Sequence, residues 1–136
     1  LIEITDHFGG SDAGTIMNPR AAYNQMTSFF AGLDVAIREE TVWDKWDNKV
    51  LNPNLIEYKA RTFNEAPPHD HVCLESTKGR ESDFPFGAMG IGEPIISPSG
   101  PAITMAVYNA CGIELEEYPY LPAKVLAALK EKEDRA

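Results

Sequence analysis

The sequence predicts an α+β fold, a mixed sheet with about three helices, in one domain covering residues 1–136. Three observations carry that prediction. Stretches of two-residue alternation and stretches of helical period both occur along the chain. They follow one another without the strict strand–helix–strand spacing of a doubly wound parallel sheet. A length of 136 residues is the common size of one domain, with room for a modest core.

Taken in order, residues 1–8 alternate Ile2 and Ile4 with Glu3 and Thr5, as a half-buried strand does, and break at Gly9-Gly10-Ser11. Asn18-Pro19 is a helix start, because the Asn side chain caps free amides and Pro tolerates the first turn. Ala22, Met26, Phe29 and Leu33 then recur at helical spacing, which predicts a helix over 19–33. Residues 35–43 and 49–62 read as extended, joined by the polar turn 44–48 in a hairpin. After Pro67-Pro68, residues 71–76 alternate again with Val72 and Leu74 on one face. Residues 77–100 are rich in Gly and Pro with few periodic apolar positions, a long loop of the kind compact domains keep for function. A second helix follows from Ser99 through Cys111, with Ile103, Val107 and Ala110 on one face and Gly112 as its stop. Residues 113–118 read as a short strand. Pro122 opens a last amphipathic helix through Leu129, ahead of a charged, fraying tail over 130–135.

Charge and composition narrow the partners. The formal net charge is −9, and no basic patch is available to neutralise phosphates, so neither nucleic acid nor a membrane is expected as a partner. No apolar run approaches the roughly 18–20 residues that cross a bilayer, and no secretion signal opens the chain. The two cysteines, Cys73 and Cys111, are far apart and outside any CxxC spacing, too few for a disulfide framework or an iron–sulfur cluster. A reducing, cytoplasmic setting is the expectation. The chain opens at Leu1 without Met, which reads as a fragment, a processed subunit or a trimmed form.

The chemistry is sought in Phe84-Pro85-Phe86-Gly87-Ala88-Met89-Gly90-Ile91-Gly92-Glu93-Pro94. Its glycines permit backbone conformations and close ligand approach that other residues deny. Glu93 precedes Pro94, which disfavours the helical region and holds Glu93 extended, so the direction of its carboxylate is set locally. A carboxylate so held suits a base, which needs one hydrogen bond of reach and a tuned pKa. On local grounds alone, a Gly-rich turn with a solvated glutamate remains the commoner meaning of such a stretch.

This segment, followed by Pro101-Ala102-Ile103, Ala106-Val107-Tyr108-Asn109-Ala110, Gly112-Ile113 and Pro122-Ala123-Lys124-Val125-Leu126, resembles the end of the xanthine dehydrogenase and aldehyde oxidase family. Upstream, Asp12-Ala13-Gly14-Thr15, Asn18-Pro19, Gly32-Leu33, Glu39-Glu40, Leu51-Asn52-Pro53-Asn54 and Tyr58-Lys59 resemble the same family in the same order. The resemblance implies that residues 1–136 are the C-terminal portion of a larger molybdopterin-binding domain of a molybdenum hydroxylase. Such an enzyme oxidises an aldehyde or N-heterocycle carbon with oxygen drawn from water. The cofactor it implies is molybdopterin, with the cytosine dinucleotide as one form, and its dithiolene rather than protein side chains holds the metal. The residue matching Glu93 is the base that activates the molybdenum-bound hydroxyl. The resemblance also implies a glutamine near the pterin at the start of the helix matching 18–33, with Gln25 as its counterpart or, because the spacing to Gly32-Leu33 is one residue short, Asn24. Gly90 and Gly92 match backbone positions along the cofactor. A 2Fe-2S cluster and FAD are implied on partner domains or subunits, with the remainder of the molybdenum subunit and a small-molecule substrate as the other partners. The alternative is a non-catalytic isolated domain or accessory subunit that lacks cofactor on its own.

Other residues admit blander readings. His69, His71 and Cys73 share one face of an early-starting strand and offer zinc-type ligands, but no fourth ligand is evident and His7 is remote in sequence. Trp43 and Trp46 are read as covering a core edge or a subunit contact. Glu39 and Glu40 point to opposite faces of a strand and are structural. Asp12 is a turn-capping side chain.

Overall fold

The computed structural model describes residues 2–77 and 84–135, so part of the predicted loop, 78–83, lies outside the described residues. The chain forms two compact units, each with its own buried residues.

The first comprises residues 4–32 and 67–99. Its sheet is a parallel pair, β1 (His7–Asp12) and β2 (His69–Leu74), in register from His7↔His69 to Asp12↔Leu74. Beyond β1 the chain crosses to the Gly-rich loop through an antiparallel bridge, Gly14↔Ala88, secured by Thr15 N to Gly87 O at 2.6 Å and Met89 N to Ala13 O at 2.9 Å. Parallel and antiparallel pairing thus both occur, within an α+β arrangement. β1 lies later than the 1–8 expected and contains the glycines read as its break. At Gly10 an added Cβ would stand 2.9 Å from Val72 Cγ1, so glycine lets the two strands close.

α1 (Pro19–Met26) begins where Asn18-Pro19 said it would, with Asn18 Oδ1 accepting from Ala21 N at 3.1 Å. The single helix expected over 19–33 is interrupted. Thr27 Oγ1 donates to Asn24 O at 2.7 Å, and the Thr27 and Ser28 amides turn back to Asn24 O and Gln25 O. Hydroxyl side chains compete for backbone in this way, and α2 (Phe29–Ile37) starts afresh. Phe29 is fully buried, and Ala13, Ala22, Met26 and Ile95 are the other buried apolar residues described in this unit.

The second unit is built, among the described residues, from 2–3, 33–66 and 100–135. α2 continues through residues 35–37, which were expected to be extended. Leu33, Ala36 and Ile37 are buried at a spacing of three and four, which is a helical stripe that Val35 and Ile37 had disguised as alternation. The hairpin that follows shrinks to one antiparallel bridge, Trp43↔Val50. Its tip is held by Asp44 Oδ1, which accepts from Trp46 N at 2.7 Å and Asp47 N at 3.1 Å. Residues 49–62 are not a strand, because local side-chain caps outcompete pairing. Asn54 caps the single turn α3 (Leu55–Tyr58), and Thr62 with Glu65 forms a capping box on a 3-10 turn, Phe63–Glu65.

α4 (Ser99–Cys111) matches the expected helix, and Gly112, with φ of 63°, ends it. Residues 113–118 are not a strand either. Ile113 is buried, and Tyr120, 1% exposed, ties the segment down by donating from its hydroxyl to Leu115 O at 2.7 Å and accepting from Leu115 N at 3.1 Å. α5 (Pro122–Asp134) starts at the expected Pro122 and runs through most of the tail expected to fray. Among the described residues no helix is long and apolar enough to cross a membrane.

Candidate functional site

The Gly-rich loop is anchored by residues that follow the ends of both strands. Thr77, 4% exposed, donates its hydroxyl to Gly87 O at 2.6 Å. Asp12 Oδ1 accepts from Gly14 N at 2.9 Å, the turn cap expected of it, and also from Ser76 N at 3.2 Å. The Ser76 hydroxyl completes the set on Asp12 Oδ2, and these donors hold the Asp12 carboxyl below its ordinary value. Gly14 is obligatory at this crossing. Its φ is 59°, and a Cβ would run into Thr77 Oγ1 and Gly87 O.

Between this loop and α1 lies a cavity of about 340 Å³, lined among others by Thr15, Asn18, Gln25, Met89, Ile91 and Gly92. Asn18, Ala22 and Gln25 recur at helical spacing, so α1 turns one continuous face toward it. Gln25 Nε2 donates to Gly92 O, joining two of the predicted site residues. Asn24 does not line the cavity; its carbonyl accepts from Thr27 at the break. Gly90 and Glu93 are exposed and outside the lining, although Glu93 directly follows Gly92. The Glu93 carbonyl accepts from Ile96 N at 3.0 Å, and Ile95 beside it is 3% exposed, so the backbone on the C-terminal side of Glu93 is tied down.

The glycines at 90 and 92 differ from what the loop reading expected of them. Neither has the left-handed backbone that demands glycine, and a Cβ at either position would meet nothing within 4 Å. What they leave is open space beside the loop. Sequence reasoning missed Thr15, which lines the cavity and whose buried hydroxyl has no hydrogen-bond partner among the described residues. Its place beside Asp12-Ala13-Gly14 was its only signal.

Parallel pairing also brings together three histidines that the sequence separates. His7 stacks face to face on Phe29, centroids 3.8 Å apart and planes 5° from parallel, and His71 lies 5.9 Å from His7 and 5.2 Å from His69. Burial, followed by neighbouring histidines, pushes the His7 and His71 pKa values down. Among the described residues no group of three or more His, Cys, Asp or Glu is placed to hold a metal ion. Trp46, 96% exposed, covers no core edge, and Glu40 pairs with Lys124 at 3.1 Å.

No family model matches the chain. Its sequence is 31% identical over 115 residues to a xanthine dehydrogenase molybdenum-binding subunit of Escherichia coli O157:H7, an alignment covering 84% of the chain and 15% of that protein. It is also 31% identical over 118 residues to the aldehyde oxidoreductase molybdenum-binding subunit PaoC of Escherichia coli K12, covering 86% of the chain and 16% of the relative. The crystal structure of the aldehyde oxidoreductase from Desulfovibrio desulfuricans superposes with a TM-score of 0.74 at 26% identity, over 88% of this chain and 12% of that one. The chain belongs to the xanthine dehydrogenase and aldehyde oxidoreductase family of molybdenum-binding subunits.

The chain therefore spans 12–16% of the length of these relatives, and its fold is part of a larger molybdenum hydroxylase domain. The cavity fits a wall contributed to the cofactor of this family. Its volume falls within the roughly 300–1,000 Å³ usual for small-molecule sites. Thr15 offers an orphaned hydroxyl, Gln25 keeps an acceptor oxygen and a second amide hydrogen, and Gly92 presents backbone with no side chain in the way.

Proposed function

We propose that this chain is the C-terminal portion of the molybdopterin-binding domain of a molybdenum hydroxylase that oxidises an aldehyde or N-heterocycle carbon with oxygen from water. Glu93 is the base. Gln25, Gly90 and Gly92 form part of the cofactor wall. The observation that carries the reading is the meeting of the Gly-Ile-Gly-Glu-Pro loop with α1 around one cavity, with Gln25 hydrogen-bonded to the residue before Glu93. When bound, the molybdenum cofactor, as molybdopterin or its cytosine dinucleotide, supplies the redox chemistry, and the protein supplies placement and a proton acceptor. Glu93 is suited to that task by position. Its backbone is restrained by Pro94 and by the bond to Ile96, and its side chain is exposed at the rim of the loop. The remaining molybdenum subunit completes the pocket that selects the substrate. Iron–sulfur and flavin domains or subunits carry the electrons away.

The test is Glu93→Gln in the assembled enzyme. Turnover falls by about 10²–10⁴-fold, the usual contribution of a positioned general base, while molybdenum and pterin content per subunit is unchanged. Turnover within a few-fold of the unmodified enzyme would remove Glu93 from the mechanism. Assembled enzyme that purifies free of molybdenum and pterin would favour a non-catalytic accessory role instead.

A further inference from the structure

We infer that Gln25 is a positioning residue for Glu93: its side-chain amide holds the Gly92 carbonyl and thereby fixes the backbone from which the Glu93 carboxylate projects. This rests on the reading of Glu93 as the base and adds a role for Gln25 beyond lining the cofactor.

The loop needs such a holder. Gly90 and Gly92 flank Ile91, and nothing in the described chain lies within 4 Å of where their Cβ atoms would be. Two unpacked glycines leave this part of the backbone free to choose among many conformations, because no side chain restrains it. On the far side of Glu93 the restraint is already present, through Pro94, the Glu93 carbonyl bonded to Ile96 N at 3.0 Å and the buried Ile95. On the near side, the Gln25 to Gly92 bond supplies the matching hold. With both flanking peptides held, the Glu93 carboxylate is left with only its side-chain rotations.

Gln25 is itself firmly placed. It sits on α1, whose start is capped by Asn18 and Pro19 and whose Ala22 and Met26 are 5% and 1% exposed. Its own carbonyl accepts from Ser28 N at 3.0 Å at the helix break. The donor is therefore carried on a packed helix rather than on a second loop, which is the arrangement a positioned catalytic group requires. Only one amide hydrogen is engaged with Gly92, so the side chain can face the cavity with its oxygen at the same time.

The experiment uses Gln25→Met, which keeps length and volume but has no donor, and Gln25→Glu, which keeps an acceptor but cannot donate to a carbonyl at neutral pH. Both are measured in the assembled enzyme. The expected result is a kcat lower by about 10–100-fold with KM within about 2-fold, since misplacing a reacting group by an ångström costs about that much. The loss persists when turnover is expressed per bound molybdenum, and amide hydrogen exchange at Ile96 becomes faster by about 10-fold as the loop loosens. In a Glu93→Gln background, Gln25→Met causes no further loss of turnover, because the two residues act through one group. Unchanged exchange at Ile96, or losses that multiply in the double variant, would overturn the positioning role. So would a turnover loss that merely tracks lost molybdenum. Retained turnover in Glu93→Gln alone would overturn the base reading, and exchange at Ile96 would still decide whether Gln25 holds the loop.

Discussion

Replacing Asp34 with alanine removes the centre of a buried ionic network. Asp34 is 5% exposed, and the side chains of Arg61 and Asp34 are 8% and 6% exposed. Asp34 Oδ1 accepts from Arg61 Nε at 2.8 Å and Oδ2 from the Arg61 backbone amide at 2.9 Å. Without the carboxylate, the guanidinium keeps, among the described residues, its bond to the Glu65 carbonyl, 3.0 Å from NH1, and a charge remains where water barely reaches. Breaking one half of such a pair costs about 3–5 kcal/mol, most of it from the stranded charge rather than from the lost attraction. At the entropy of unfolding usual for a domain of this size, that lowers Tm by about 10–17 °C. Thermal and urea unfolding measure it directly. The partner experiment replaces both groups, Asp34→Leu with Arg61→Met, and is expected to recover at least half of the loss, because neither charge is then buried alone. A loss below about 1 kcal/mol for Asp34→Ala, the range of an exposed ion pair, would refute the reasoning by showing that the network is solvated.

Two further outcomes test the same structure at other points. Arg38, 2.6 Å from the Glu65 carboxylate, with the Thr62 amide and hydroxyl, holds the Glu65 pKa down to about 2 from 4.5. A folded-state value below the unfolded one means that Glu65 contributes stability above pH 4.5, and that this contribution is lost as pH falls from 4.5 toward 2. Glu65→Gln should flatten the fall in urea midpoint across that window, and an unaltered slope would reject the assignment. Gly92→Ala should change folding stability by less than about 1 kcal/mol, because its Cβ meets nothing within 4 Å, yet lower the molybdenum content of the assembled enzyme if the cofactor approaches this backbone. Full loading would show that the open face at Gly92 is not used.

Where local chemistry decides, the sequence was legible. Asn18-Pro19, Ser99 to Cys111, Gly112 and Pro122 mark helix ends through capping, proline and left-handed glycine, all of which act within a few residues. The misreadings share another cause. Residues 35–37 alternate like a strand yet bury a helical stripe, and residues 49–62, read as extended, keep only the bridge from Val50 to Trp43. Periodicity over so few residues does not tell half-buried helix from strand, and only a partner decides. The same holds at the site. The order of motifs from Asp12 to Leu126 pointed to the family, and with it to Glu93, Gln25 and the two glycines, whereas Thr15 had no signal of its own.

The sequence by itself determined the family, the α+β class, the capped helix starts and the loop whose glutamate precedes a proline, because each is written in neighbouring residues or in the order of motifs. Only the tertiary structure decided that Gln25 rather than Asn24 faces the cavity, that its amide meets Gly92, and that His7 stacks on Phe29 beside His71. Those facts depend on two segments closing a loop of dozens of residues. The pairing that closes it, β1 against β2, is a long-range choice set by packing, and no local pattern contains it.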